Sequence, residues 1–309
     1  EHPNPIFKLI LDIRKVRHML SNYIRVPLDA DGRMRCSYLI TGTETGRLAS
    51  RESVYGSGTN LQNIDRSDMV RSLFVADEGY MLIDADLSQA EARVVAYLSH
   101  DERLQNIFNS RTGDIHKYFA SIIFSKKIEE IKPEQRQIAK SLVHAANYGI
   151  GPRKFAKEIG KSENEARSLL NQYYAMFPNI KVWHMRTEAT LRKSRIIRTP
   201  LGRARMFFNR WTDDLVREAI AYVPQSTVVD ILNSGIVHAA ENMPQHWEMM
   251  LQVHDNVIMQ VPDTTPPMHI YKFIKHYFER AITIDNKTFT IPVGIKIGKN
   301  WANLVKLEV

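Results

Sequence analysis

Between Leu251 and Val261 the sequence reads LQVHDNVIMQV, two runs of β-favouring apolar residues meeting at three polar ones. Val, Ile and Met suit a sheet, and Asp and Asn accept the backbone angles of a tight bend. The pattern therefore predicts a strand, a turn and a returning strand. Asp255 then stands at the tip of a hairpin. An ordinary hairpin with a polar bend accounts for this stretch by itself, so a chemical role for Asp255 requires a partner elsewhere in the chain.

Candidates for that partner lie in YMLIDADL from Tyr80, which reads as a buried strand, followed by a helix over SQAEARVVAYLS from Ser88. Asp86 lies at the end of the strand, and Asp84 shares its face by the two-residue period, so spacing leaves both open. Either would also serve as a cap or turn carboxylate. Two carboxylates from separate strands can hold a pair of Mg²⁺ ions, the arrangement of phosphoryl transfer. The Ser88-x-x-Glu91 spacing predicts a capping box. Further along, Pro133 opens a helix through EQRQIAKSLVHAANY, which Gly149-Ile-Gly-Pro152 ends. Arg136, Lys140, His144 and Tyr148 recur on it every four residues, two cations and then two rings. A triphosphate suits one half of that face, and a sugar and base the other. A solvated basic face is the simpler account of the stripe taken alone.

The remaining segments set the class. Pro5 to about Tyr23 reads as a helix on the spacing of Leu9, Ile13, Val16 and Leu20, Arg33 to Ile40 as a strand, and Thr41 to Gly58 as a long loop before NLQNI. Ser162-x-x-Glu165 starts another helix, which Pro178 stops, and KSRIIRTPLGRARMF reads as a basic hairpin. DDLVREAIAYVPQSTVVDILNSGIVHAAENM follows as helix with an interruption at Pro224, and a last helix runs from Pro267 to about Ala281. This mixed order predicts α+β rather than a doubly wound sheet. With 309 residues, one large domain or two to three smaller ones fit.

Lys and Arg number 42 against 34 Asp and Glu, a formal charge of +8 that suits an extended polyanion. The single cysteine, Cys36, excludes an intramolecular disulfide and a cysteine zinc cluster, and fits a reducing intracellular compartment: cytoplasm, organelle or virus-infected cell. No apolar run is long enough to span a bilayer, and EHPNPIFK lacks the apolar core of a signal peptide, so no membrane partner is expected. The chain opens on Glu1 rather than Met, which reads as a piece of a longer protein.

The segments TGRLAS, NLQNI, DADLSQAEAR, RQIAKSLVHAANYG and QVHDN stand in this order from near the N-terminus to the hairpin. Together they resemble the polymerase core of the family A DNA polymerases, the bacterial DNA polymerase I type, over nearly the whole chain. The resemblance implies a right-hand polymerase: a palm built on an antiparallel sheet, helical fingers and a largely absent thumb. It implies a thumb-base helix and linker over 1–35, palm over 36–98 and 222–309, and fingers over 99–221. It makes Asp86 and Asp255 the metal ligands, in preference to Asp84, with two Mg²⁺ ions as cofactor and Mn²⁺ as a substitute. Arg136 and Lys140 would hold the triphosphate, with Lys140 protonating the departing pyrophosphate. His116 would reach the phosphates, His144 would pack on the sugar, Tyr148 would lie beside the templating base, and Gln89 and Glu91 would belong to the nucleotide site. Glu91 would exclude ribonucleotides, and a capping role can coexist with that. Arg47 and Gln225 would contact the primer-template minor groove, Asn60, Gln62, Arg217 and Gln252 would line DNA or brace the site, and His254 would lie near the primer terminus. The basic set Arg192, Lys193, Arg195, Arg198, Arg203 and Arg205 would hold template phosphates.

Three positions depart from the family's pattern: Asn256 where the third motif usually has Glu, His144 where Phe or Tyr is usual, and Leu87 in place of Tyr. The expected partners are primer-template DNA and deoxynucleoside triphosphates, with upstream thumb and exonuclease-like domains or replication proteins as further ones. Proofreading is not expected of this segment. A single-subunit RNA polymerase relative, and a silent remnant that binds primer-template without extending it, are the alternatives; Glu91 speaks against the first and Asn256 raises the second.

Overall fold

The computed structural model describes residues 4–110 and 113–309. The chain forms two compact units, each assembled from separated segments. The first comprises Glu1–Asp86, His238–Lys275 and Val293–Val309, and the second Leu87–Val237 and His276–Pro292.

The first unit is built on a five-stranded sheet ordered Val305–Lys306, Val293–Gly298, Tyr80–Leu87, Asn256–Pro262, Glu248–Val253. Tyr80–Leu87 runs antiparallel to Asn256–Pro262, pairing Leu82 with Gln260, Asp84 with Ile258 and Asp86 with Asn256. Leu82, Ile258 and Trp301 pack with Tyr23, Leu61, Ile64 and Val70 in one apolar cluster. Each such side chain contributes roughly 1.5–3 kcal/mol by leaving water. The stretch from Thr41 to Gly58, expected as a loop, contains the strand Ala49–Glu52, which pairs antiparallel with Cys36–Leu39 and places Arg47 at the bend. No local signal marks that strand, because ASRE gains its extended form from its partner. Leu9, Ile13 and Val16 of the helix Pro5–Met19 are exposed.

The second unit is mainly helical. Pro133 occupies the first turn of the helix Pro133–Asn147, and Ser162 and Glu165 form the expected capping box at the start of Glu163–Met176. Fully buried Tyr173 packs edge-on against Phe119 and Phe177, and its hydroxyl donates to Asn147 Oδ1 at 2.8 Å, tying the nucleotide-candidate helix to its neighbours. The expected hairpin pairs Ile196–Arg198 with Ala204–Met206.

Two further local expectations are corrected. The helix after Asp86 begins at Ala90, with Gln89 at φ +52 and no side-chain cap, so Ser88 and Glu91 form no capping box. The Ser88 backbone N–H donates to Pro292 O instead, which fixes the turn before the helix can use Ser88. Pro224 does not interrupt its helix, which runs unbroken over Asp213–Glu241. Buried Tyr222, Val223, Val228 and Val229 surround the proline, and their packing offsets a penalty of about 3 kcal/mol.

Candidate active site

The hairpin turn consists of His254 and Asp255, between the strands Glu248–Val253 and Asn256–Pro262. His254 adopts φ +56, the left-handed conformation that a two-residue bend demands. Asn256 pairs with Val253 on one side and with Asp86 on the other. Asp86 and Asp255 are thereby brought to the same end of adjacent strands. The strand face of Leu82, Asp84 and Asp86 is covered at its first two positions and open at the third: Asp84 is 7% exposed, whereas Asp86 is exposed. Buried Asp84 accepts hydrogen bonds from Asn256 Nδ2 at 2.6 Å and Trp301 Nε1 at 3.4 Å. Burial still holds its carboxyl above the ordinary value.

Oδ1 of Asp255 is shut off from solvent and accepts no hydrogen bond among the described residues. Arg47 Nη2 lies 3.9 Å from it. At that distance the guanidinium pairs with the oxygen without a hydrogen bond, which leaves the oxygen able to take a metal ion. Mg²⁺ fits the donor set, since it is bound through one or two carboxylates and completes its shell with water and phosphate oxygens. Among the described residues no group of three or more His, Cys, Asp or Glu gathers as a metal site. Asp86 and Asp255 would thus depend on oxygens that a substrate brings.

Polar residues around the hairpin form a brace. Tyr38 Oη donates to Gln252 O and accepts from Gln252 N–H, both at 2.9 Å, while Gln62 Nε2 reaches the same carbonyl at 3.4 Å. Asn60 Oδ1 accepts from Gln62 N–H at 3.1 Å and from Ser50, and Gln252 Nε2 donates to His254 O at 3.3 Å. Partial burial, with the charge of Arg47, holds the His254 imidazole below its ordinary value.

In the second unit the candidate residues form their own constellation. Asp114 caps the helix Ile115–Ile123 by accepting from the N–H groups of His116 and Lys117, and it accepts from Arg136 Nε at 2.9 Å. Burial opposes its charge, but the bonds from Arg136 and Lys117 hold its carboxyl below the usual range. His116 is buried, with Nδ1 3.4 Å from Arg136 Nη2. Burial and the Arg136 charge push its pKa down to about 4, so it is neutral at pH 7 and can accept from Arg136. Lys140 and His144 are exposed one and two turns further along. Tyr148, at the helix end, is buried, meets the His144 ring edge-on at 4.5 Å between centroids, and donates its hydroxyl to Glu91 Oε2. Gln89 Nε2 donates to Gly113 O at 2.9 Å. Arg217 pairs with Asp214 at 2.6 Å, and Gln225 is half-buried in the helix Asp213–Glu241.

The expected residues thus fall into two groups. Arg47, Asn60, Gln62, Asp86, Gln252, His254 and Asp255 belong to the first unit, and Gln89, Glu91, His116, Arg136, Lys140, His144, Tyr148, Arg217 and Gln225 to the second. Of the basic set, Arg203 is held by both Asp230 oxygens and Arg205 by Glu218, while Arg192 stacks over Trp211 at 4.1 Å. Sequence reasoning missed Asp114, which an acid immediately before a helix could have signalled, and Tyr38, which no local pattern marks.

Residues 1–303 match the family described as DNA polymerase family A. DNA polymerase I of Caldicellulosiruptor bescii is 31% identical over 96% of this chain and 36% of its own length. The thermostable DNA polymerase I of Thermus filiformis gives the same identity and coverage. The chain therefore spans about a third of the curated relatives it matches. Among solved structures, the POL domain of Pol1 from M. smegmatis, in complex with DNA primer-template and dNTP, superposes with a TM-score of 0.84 at 26% identity, over 96% of this chain and 53% of that one.

Proposed function

Because the chain belongs to DNA polymerase family A, we propose that it carries out template-directed addition of deoxynucleoside triphosphates to a primer 3′-hydroxyl, without proofreading by this segment. The observation that carries this reading is the placement of Asp86 and Asp255 at one end of adjacent strands, with an oxygen of Asp255 buried and lacking a hydrogen-bond donor among the described residues. On this reading the palm is 36–98 and 222–309 and the fingers 99–221, although 87–98, 222–237 and 276–292 cluster with the helical unit.

Asp86 and Asp255 would hold two Mg²⁺ ions. When bound, these ions would favour ionisation of the attacking hydroxyl and neutralise the leaving phosphate. Arg136, oriented by Asp114, would pair with triphosphate oxygens through its guanidinium. Exposed Lys140 would place a proton on the departing pyrophosphate. His144 would pack on the nucleotide sugar and Tyr148 beside the templating base. Glu91, held by the Tyr148 hydroxyl, would crowd the 2′ position and exclude ribonucleotides. Arg47, His254 and the Asn60–Gln62–Gln252 brace would act at the primer end, and Arg217 and Gln225 in the minor groove. Contacts to sugar and phosphate fix position without reading sequence, as a copying enzyme requires.

Primer extension on a defined template, comparing this chain with Asp255→Ala and offering deoxy- or ribonucleotides, tests the reading. Extension with deoxynucleotides only, lost in the variant, is expected. Primer-template binding without extension would instead make the chain a binding module, and efficient ribonucleotide use would point to an RNA polymerase.

A further inference from the structure

Asn256 occupies the strand position directly across from Asp86, yet its side chain reaches diagonally to Asp84. Asn256 engages Asp84 through Nδ2, while its Oδ1 is buried without a hydrogen bond among the described residues. Asp84 offers two acceptor oxygens and no donor when ionised, and two N–H groups meet them, Asn256 Nδ2 at Oδ1 and Trp301 Nε1 at Oδ2. Trp301 is itself fixed, 4% exposed, with the Arg71 guanidinium 4.5 Å over its ring and Phe74 against its edge. The acid therefore connects a wedged indole to the first residue after the Asp255 turn.

We propose that Asp84 is a positioning residue for the hairpin carboxylate, acting through Asn256, and that an acid at 84 and an acid at 256 exclude each other. This rests on the polymerase reading above. An acid at 256 beside Asp84 would set two acceptors 2.6 Å apart in a buried place. An amide at 84 could donate to Asn256 only if the 256 amide turned over, presenting Oδ1 in place of Nδ2. The swapped pair restores the match without that turn: an Asn at 84 would accept from Trp301 and donate to an Asp at 256. Asp86 and Asp255 are untouched in every combination.

The test is a four-member cycle of wild type, Asp84→Asn, Asn256→Asp and the double variant, in which every side chain keeps its volume. Single-turnover extension is read together with dNTP KM and the thermal unfolding midpoint. Asn256→Asp is expected to slow the rate constant about tenfold with little change in KM, Asp84→Asn to slow it less, and the double variant to return to within roughly threefold of wild type. A merely structural role would instead lower the fraction of competent enzyme and leave the rate constant unchanged. An Asn256→Asp variant as fast as wild type, or a double variant as slow as the two losses combined, overturns the proposal. Should the wild-type chain extend no primer, the functional reading falls and the unfolding midpoints decide the pair. Recovery in the double variant then upholds the exclusion, and additive losses overturn it.

Discussion

At the residue scale one carboxylate oxygen stands apart. Asp255 Oδ1 is buried without a hydrogen-bond donor among the described residues, with the Arg47 guanidinium 3.9 Å away. Replacing Asp86 or Asp255 with Ala is expected to lower the extension rate by at least about a thousandfold, several kcal/mol of transition-state stabilisation, with primer-template affinity little changed. Equal loss of DNA binding in a filter or anisotropy assay would reassign the residue to structure. His116 yields a prediction about pH. Its folded pKa lies near 4 against an ordinary 6.5, so the unfolded chain takes up the proton first. Stability is then full above about pH 6.5 and falls as pH drops toward 4, by on the order of 3 kcal/mol. Denaturant titrations of His116→Gln across that range should lack this slope, and an unchanged slope would remove His116 as its source. The pattern could not separate Asp84 from Asp86, since period two puts both on one face and only the packing of Trp301 and Ile258 buries the first.

At the scale of elements, the end of the helix Pro133–Asn147 matters most. Gly149 follows it at φ +68, and a Cβ there would meet the His184 ring at an ordinary 3.7 Å. The cost of Gly149→Ala is therefore backbone strain alone, about 1 kcal/mol, a melting point lower by a few degrees. An unchanged melting point would show that the position is not held left-handed. Tyr148→Phe removes the hydroxyl that holds Glu91 and should raise ribonucleotide incorporation, read as the ratio of kcat/KM for the two sugars. Element starts were legible where the signal is local: Pro133, the Ser162–Glu165 box and the HDN turn. Ser88–Glu91 misled because Gln89 is left-handed and Tyr148, 57 residues away, engages the acid. Ala49–Glu52 was hidden because its sheet partner lies across a bend that no periodicity reports.

For the whole molecule, the +8 charge bears on polyanion binding. Primer-template affinity should fall log-linearly with salt, each neutralised phosphate contributing a slope of about −0.9. A flat response over a several-fold rise in salt would contradict it. Arg203 and Arg205, committed to Asp230 and Glu218, should add less to that slope than a count of basic residues suggests. The central strand carries a different consequence. Asp84 and its bonding partner Asn256 stand 172 residues apart in the chain, so on a ribosome the strand Tyr80–Leu87 emerges long before the hairpin that completes it. At about 5–20 residues per second, that wait lasts roughly 10–30 s. During translation a half-made sheet edge stands exposed for that time, and a nascent chain arrested before residue 255 carries one of the two carboxylates without the other. Synthesis thus completes the pair of carboxylates late, and a product terminated before residue 255 lacks one of them.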